Sequence, residues 1–292
     1  MLSSDATGHE PLVMGADAVV REIATQPAEG SHRIAAAVAQ VSRPHRKGAA
    51  MRRYLVLELV RSLRDRLYLV LAVVAPVGFY LLFASIFKNR GTRTDLASSV
   101  EIMIAMATFG AMWGSLSATA PRLARDREIG WDQLLSLSPI APAQVLLARI
   151  VAAVLVALPA IVAVFLAGAI VNGVSLTAGQ WLYAGVALWV GTIPFAVIGI
   201  AIGMRTTSTT AFAFTTGLYF ALAALGGLWV PPSVLPSALR HVAMTLPSYN
   251  QADLGWRIAG HHAPGLGNVA VLLAWTAGGG ALALLSARRT SA

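Results

Sequence analysis

The chain has no cysteine, so disulfide scaffolding and cysteine-based metal or redox chemistry are closed to it. Charge is scarce as well: 12% of its 292 residues are charged, against about 25% in soluble proteins. No G-x-x-x-x-G-K-[ST] loop occurs, so there is no nest of backbone amides of that kind to hold ATP phosphates. Neither H-E-x-x-H nor G-x-S-x-G is found, which removes zincin and acyl-hydrolase chemistry. Outside the first fifty residues the carboxylates are Glu58, Asp65, Asp95, Glu101, Asp126, Glu128, Asp132 and Asp253. All of these, like His9, His32, His45, His241, His261 and His262, fall outside the long apolar runs. An ion-coupled carrier ordinarily keeps a carboxylate or histidine at membrane depth, and none is expected here. His261-His262 has no third ligand nearby and reads as a polar loop, so no metal site is expected.

What the chain has in quantity is apolar sequence, 57% of its residues. About 20 such residues cross a bilayer as a helix, and six segments qualify: Leu67–Phe87, Ile102–Ala120, Val145–Val171, Trp181–Met204, Thr210–Val230 and Val269–Leu285. Pro76, Pro159 and Pro194 lie inside three of them, where neighbouring helices can satisfy the freed carbonyls. The net charge of +9 is not a nucleic-acid signal, because the basic residues gather at span ends. With the N-terminus inside, twelve flanking arginines (52, 53, 61, 64, 66, 122, 125, 127, 149, 205, 288 and 289) fall on the inner side. Five bases (Lys88, Arg90, Arg93, Arg240 and Arg257) fall on the outer side, so both termini are expected in the cytoplasm. Residues 1–50 hold no spanning run and no signal-peptide layout and read as a mobile cytoplasmic tail, with 51–289 as the membrane domain. Met51 could itself open the functional chain. Met51–Asp65 carries an apolar stripe (Leu55, Leu59, Leu63) flanked by Arg52, Arg53, Arg61 and Arg64, the pattern of an interfacial helix.

Between the second and third apolar runs lies a dense block of mixed charge, Arg122–Ser138. Gly130 suits a left-handed helix cap, and a short second helix fits Asp132–Leu137 before Ser138-Pro139 stops it. Trp131, Leu134 and Leu135 then share one face. A solvated, positive-inside loop accounts for the charges alone, but not for the placing of the glycine and proline.

Arg125-Asp-Arg-Glu-Ile-Gly130 followed by Leu134, Leu135 and Pro139 resembles the E-R-E-x-G-T…L…P segment of ABC-2 type permeases, the membrane subunits of ATP-driven exporters. Arg64-Asp65-Arg66 is similar to the family's L-R-D-R lead-in, with Arg61 one turn earlier. Gly226–Pro236 with Thr245–Tyr249 resembles its proline-rich segment before the last span. The resemblance implies an all-α polytopic membrane protein of six transmembrane helices. It adds an N-terminal interfacial helix, a cytoplasmic coupling helix between spans 2 and 3, and short re-entrant helices before span 6. It further implies that Arg125, Asp126, Arg127, Glu128, Gly130, Trp131, Leu134 and Leu135 meet a separate ABC ATPase, which would bind ATP and Mg. No cofactor is expected on this chain itself. A second copy or a paralogue would complete the pathway, for hydrophobic drugs, antibiotics or lipid-like molecules leaving across the cell membrane. Phe109, Trp113, Phe212 and Tyr219 are candidate lining for ring-bearing solutes, with core packing or lipid contact as the competing role. Gly110/Gly114 and Gly199/Gly203 are small-residue pairs that let helices approach closely. A secondary transporter and a non-transporting anchor or assembly subunit are the alternatives.

Overall fold

The computed structural model describes residues 55, 56, 60, 70–87, 96–131, 142–229 and 236–290. These lie in the unit Gly48–Ala292. Among them there are α-helices, one π-helical turn and no strand. The π turn, Val70–Val74, leads into α1, Ala75–Ile86. Pro76 stands at the start of α1, and its missing N–H is compatible with a ladder that is irregular just ahead of it.

Helix α2, Ser98–Glu128, is the axis of the fold. It touches α1, then α3 (Pro142–Val171) and α4 (Ala178–Val190), and also α5 (Ile193–Gly203) and α6 (Ser208–Leu225). Every residue from Met103 to Ala120 is buried, so the helix is enclosed on all sides. Three of its buried hydroxyls are satisfied within the helix: Thr108 donates to Ile104 O at 2.8 Å, Ser117 to Trp113 O at 2.5 Å and Thr119 to Ser115 O at 2.9 Å, whereas Ser115 Oγ has no partner among the described residues. The packing of α5 on α2 depends on small residues. A Cβ on Gly203 would stand 2.5 Å from Ala120 O, and one on Gly199 would run into the Thr119 side chain.

Among the described residues, five helical stretches are long and apolar enough to cross a membrane: α2, α3, α4 with α5, α6, and α9, whose full range is Leu266–Thr290. The first expected crossing is described from residue 70, where its apolar helix, Ala72–Ile86, is shorter than the other five. Helix ends shift by a few residues from the apolar runs. Helix α2 continues past Ala120 through Pro121 to Glu128, in keeping with the left-handed cap expected at Gly130, and Leu123, Ala124 and Asp126 are buried along the way. The fourth span is not one helix, since it breaks at Gly191-Thr192.

That break is stabilised from outside. Thr192 N–H turns back to Trp189 O, leaving Leu188 O without its usual partner in the helix. Gln251 Nε2 donates to that oxygen at 2.7 Å. Gln251 belongs to α8, Pro247–Ala259, which follows α7, Ser237–Thr245, in the expected proline-rich region. Polar side chains anchor α8 on three sides: Ser248 Oγ to Leu222 O at 2.7 Å, Gln251 to Leu188 O, and Trp256 Nε1 to Glu101 O at 2.9 Å.

Candidate functional site

At the end of α2, three consecutive residues reach three different helices. Successive side chains on a helix point about 100° apart at 3.6 residues per turn, so a triplet can splay in this way. Asp126 is ion-paired with Arg149 of α3 at 2.8 Å, the two side chains being 1% and 4% exposed. Arg127 donates from Nη1 to Gly203 O, the last residue of α5, at 3.1 Å. Glu128 accepts at Oε1 from Ser208 N–H (2.8 Å) and at Oε2 from Ser208 Oγ (2.6 Å), at the first residue of α6.

Each grip suits the helix end it meets. The C-terminus of α5 has orphan carbonyls and partial negative charge, which an arginine complements. The N-terminus of α6 has orphan N–H groups and partial positive charge, which a carboxylate complements. Thr207, the N-cap of α6, covers Thr210 N–H, and Glu128 covers Ser208 N–H. The short turn from Met204 to Thr207 is thereby held at both ends by neighbouring residues of α2. Arg205 Nε donates to Ser286 Oγ at 2.7 Å and ties the same turn to α9.

Beyond Glu128 the chain turns sharply. Ile129 N–H bonds to Arg125 O, Gly130 N–H to Arg127 O, and Gly130 has φ 71°, a value only glycine takes without cost. Trp131 is half-buried, while Arg125 and Glu128 are exposed. Leu134 and Leu135 of the expected docking face lie outside the described residues, as do Arg61, Arg64 and Asp65 of the expected interfacial helix. Asp126 lies beyond the expected span Ile102–Ala120, and it is buried in the continuation of α2 together with its partner Arg149, expected as a flanking inner base.

The four candidate lining residues form one cluster between α2 and α6. Phe109 stacks on Tyr219 at 4.5 Å between ring centroids, Tyr219 meets Trp113 at 5.0 Å, and Trp113 meets Phe212 edge-on at 6.4 Å. Phe109, Trp113 and Tyr219 are buried, whereas Phe212 is half exposed. Residues not anticipated extend the cluster: Phe79 of α1 packs on Phe109, and Trp229 and Phe220 close a ring around Tyr219. Within this apolar patch three buried polar atoms, Trp113 Nε1, Thr215 Oγ1 and Trp229 Nε1, have no hydrogen-bond partner among the described residues. The spacing 212, 215, 219 on α6 carried a usable signal for Thr215, because it is one helical face. Arg149, Gly203 and Ser208 carried none, since nothing local in their sequence ties them to residues 126–128.

Spanning helices gathered around one enclosed helix, with polar groups concentrated at its end, define a polytopic membrane protein. Among known proteins this chain belongs to the ABC-2 type transporter family, whose profile matches residues 51–250. It is also similar to the protein named "Putative transport permease YvfS" of Bacillus subtilis (strain 168), 27% identical over 220 residues that cover 75% of this chain and 89% of that protein. The chain is a transporter permease.

Proposed function

We propose that this permease is the membrane subunit of an ATP-driven exporter, moved by a separate ABC ATPase that docks on the segment following α2. The reading rests chiefly on the Asp126–Arg127–Glu128 triplet. A partner pressing on Gly130 and Trp131 would act on a point joined directly to α3, α5 and α6. The chain's own lack of a phosphate-binding loop is consistent with nucleotide chemistry residing on another polypeptide. In this reading the triplet lies at the cytoplasmic end, both termini are inside, Leu67–Phe87 supplies a sixth crossing, and α7 and α8 cap the outer end as re-entrant helices. A second copy or a paralogue completes the pathway.

The cargo is a hydrophobic, ring-bearing molecule such as a drug or antibiotic, or a lipid-like one. The aromatic cluster supports this through its stacking surfaces and through its three unpartnered polar atoms, which can meet hydrogen-bonding groups on such a solute. Ion coupling is less well supported, because the buried carboxylate Asp126 is held by Arg149.

The test is co-expression with candidate ABC ATPases, followed by co-purification and ATP-dependent efflux of a panel of hydrophobic compounds. Leu134→Asp should abolish co-purification while the protein still reaches the membrane. Normal co-purification and efflux in that variant would overturn the docking reading.

A further inference from the structure

At the end of the molecule opposite the triplet, two cavities meet. The first, about 1010 Å³, is an apolar groove between α4–α5, α8 and α9, running from Thr177 and Pro264 past Val186 and Leu273 to Thr276. Val186, Val190 and Leu273 on its walls are 43%, 49% and 63% exposed, so the groove opens sideways along apolar helix surfaces. The second, about 810 Å³, is a polar hollow bounded by the turn Asn172–Leu176, the start of α2 and α8. Gln180 and His262 line both, so the two spaces adjoin. Volumes of this size accommodate a ligand of several hundred Å³.

The polar hollow carries one charge of each sign. Asp253 and Arg257 both line it, one helical turn apart on α8, which sets their Cβ atoms about 6 Å from each other. Neither is consumed by the other. Asp253 accepts from the neutral groups Asn268 Nδ2 at 3.0 Å and Tyr249 OH at 3.5 Å. Arg257 donates from Nε to Ala263 O at 3.0 Å. About 100° round the same helix, Leu254 and Ile258 line the apolar groove. Helix α8 thus separates an apolar channel from a hollow with a cation and an anion side by side.

We infer that the two cavities together bind one zwitterionic phospholipid with a primary ammonium in its headgroup. The phosphate faces the Arg257 guanidinium, the ammonium donates to the Asp253 carboxylate, and an acyl chain lies along the groove toward Thr276. An acidic headgroup would leave Asp253 facing like charge, and a second protein copy would leave the polar hollow unfilled. The site is distinct from the aromatic cluster between α2 and α6, and the inference holds whatever the exported cargo is.

The experiment uses the full chain purified in mild detergent, supplied with phosphatidylethanolamine or phosphatidylglycerol, with bound lipid read by native mass spectrometry. Wild-type protein should retain phosphatidylethanolamine several-fold better than phosphatidylglycerol. Arg257→Gln should lower retention of both lipids, and Arg257→Lys should restore part of it. Asp253→Asn should erase the preference by raising phosphatidylglycerol relative to phosphatidylethanolamine, a change that loss of folding does not produce. Leu273→Trp, which fills the groove, should lower retention of both lipids without changing their ratio. Equal retention of the two lipids by wild-type protein overturns the inference. So does a cross-linker at position 273 that joins two copies of the chain in place of lipid.

Discussion

Asp126 and Arg149 meet at 2.8 Å between α2 and α3, and both side chains are almost wholly withdrawn from solvent. Two charges in that setting neutralise each other, and removing either takes away the counter-charge of the one that stays buried. Breaking a buried pair in this way typically costs about 3–5 kcal/mol. Asp126→Ala and Arg149→Ala should each lower the melting temperature in detergent sharply. The double replacement Asp126→Leu/Arg149→Met should recover most of the loss, since an apolar pair of similar volume needs no counter-charge. If each single variant melts like wild type, the pair contributes nothing to holding α2 on α3.

Glu128 is exposed, so its removal is expected to act through geometry more than through overall stability. In Glu128→Ala the Ser208 N–H and hydroxyl lose their acceptor at the start of α6. The variant should insert normally and still co-purify with the proposed ATPase, yet ATP hydrolysis should no longer drive the proposed efflux. Leu134→Asp is expected to fail one step earlier, at co-purification. Measuring binding, ATPase rate and efflux side by side separates the two, and identical profiles would argue against a transmitting role for Glu128.

The α2–α5 contact makes a prediction about which partner can yield. At Gly199 an added methyl meets the Thr119 side chain, whereas at Gly203 it meets the Ala120 carbonyl. Overpacking of this kind costs about 1–3 kcal/mol. Gly199→Ala should therefore be relieved in large part, though not fully, by Thr119→Ala in the same protein, because Thr119 Cβ and the Leu116 carbonyl still stand 3.1 and 3.2 Å from the added methyl. Gly203→Ala should resist rescue by any side-chain change on α2, because the obstacle is backbone. Thermal unfolding of the single and double variants in detergent reads this directly.

Gln251 supplies the hydrogen bond that the broken helix cannot make for Leu188 O. Gln251→Leu keeps much of the volume and removes the donor. The expected cost is about 1–3 kcal/mol, the penalty of a buried carbonyl left unsatisfied. Gln251→Glu should be similarly damaging, since a carboxylate brings a charge and presents no N–H to that oxygen. A melting temperature unchanged in Gln251→Leu would mean that the α4–α5 break is stabilised by other contacts.

Much of this architecture was legible in the sequence, and the reason is physical. Apolar runs of spanning length have few alternatives, so α3, α6 and α9 fall where Val145–Val171, Thr210–Val230 and Val269–Leu285 indicated, with shifted ends. Gly130 was readable because a left-handed residue has few substitutes. The aromatic cluster was readable in part, since Phe109 and Trp113 lie four residues apart on one face of α2. What stayed hidden depends on contacts made across long stretches of chain. Arg127 finds Gly203 across 76 residues, and Glu128 finds Ser208 across 80. A charged triplet that reads locally as water-exposed is in fact divided, with Asp126 buried and Glu128 at the surface. The split of the fourth span was hidden for the same reason, because the donor that permits it comes from α8.

The turn from Met204 to Thr207 is gripped at both ends by adjacent residues of one helix, with consequences for how the permease can change shape. Sliding α2 alone along its axis would drag a carbonyl at one end and an amide at the other, so the independent-piston picture does not apply. The smallest movable part at this end of the molecule is a bundle of α2, α3, α5 and α6 that tilts as one, and its hinges must be sought elsewhere along those helices.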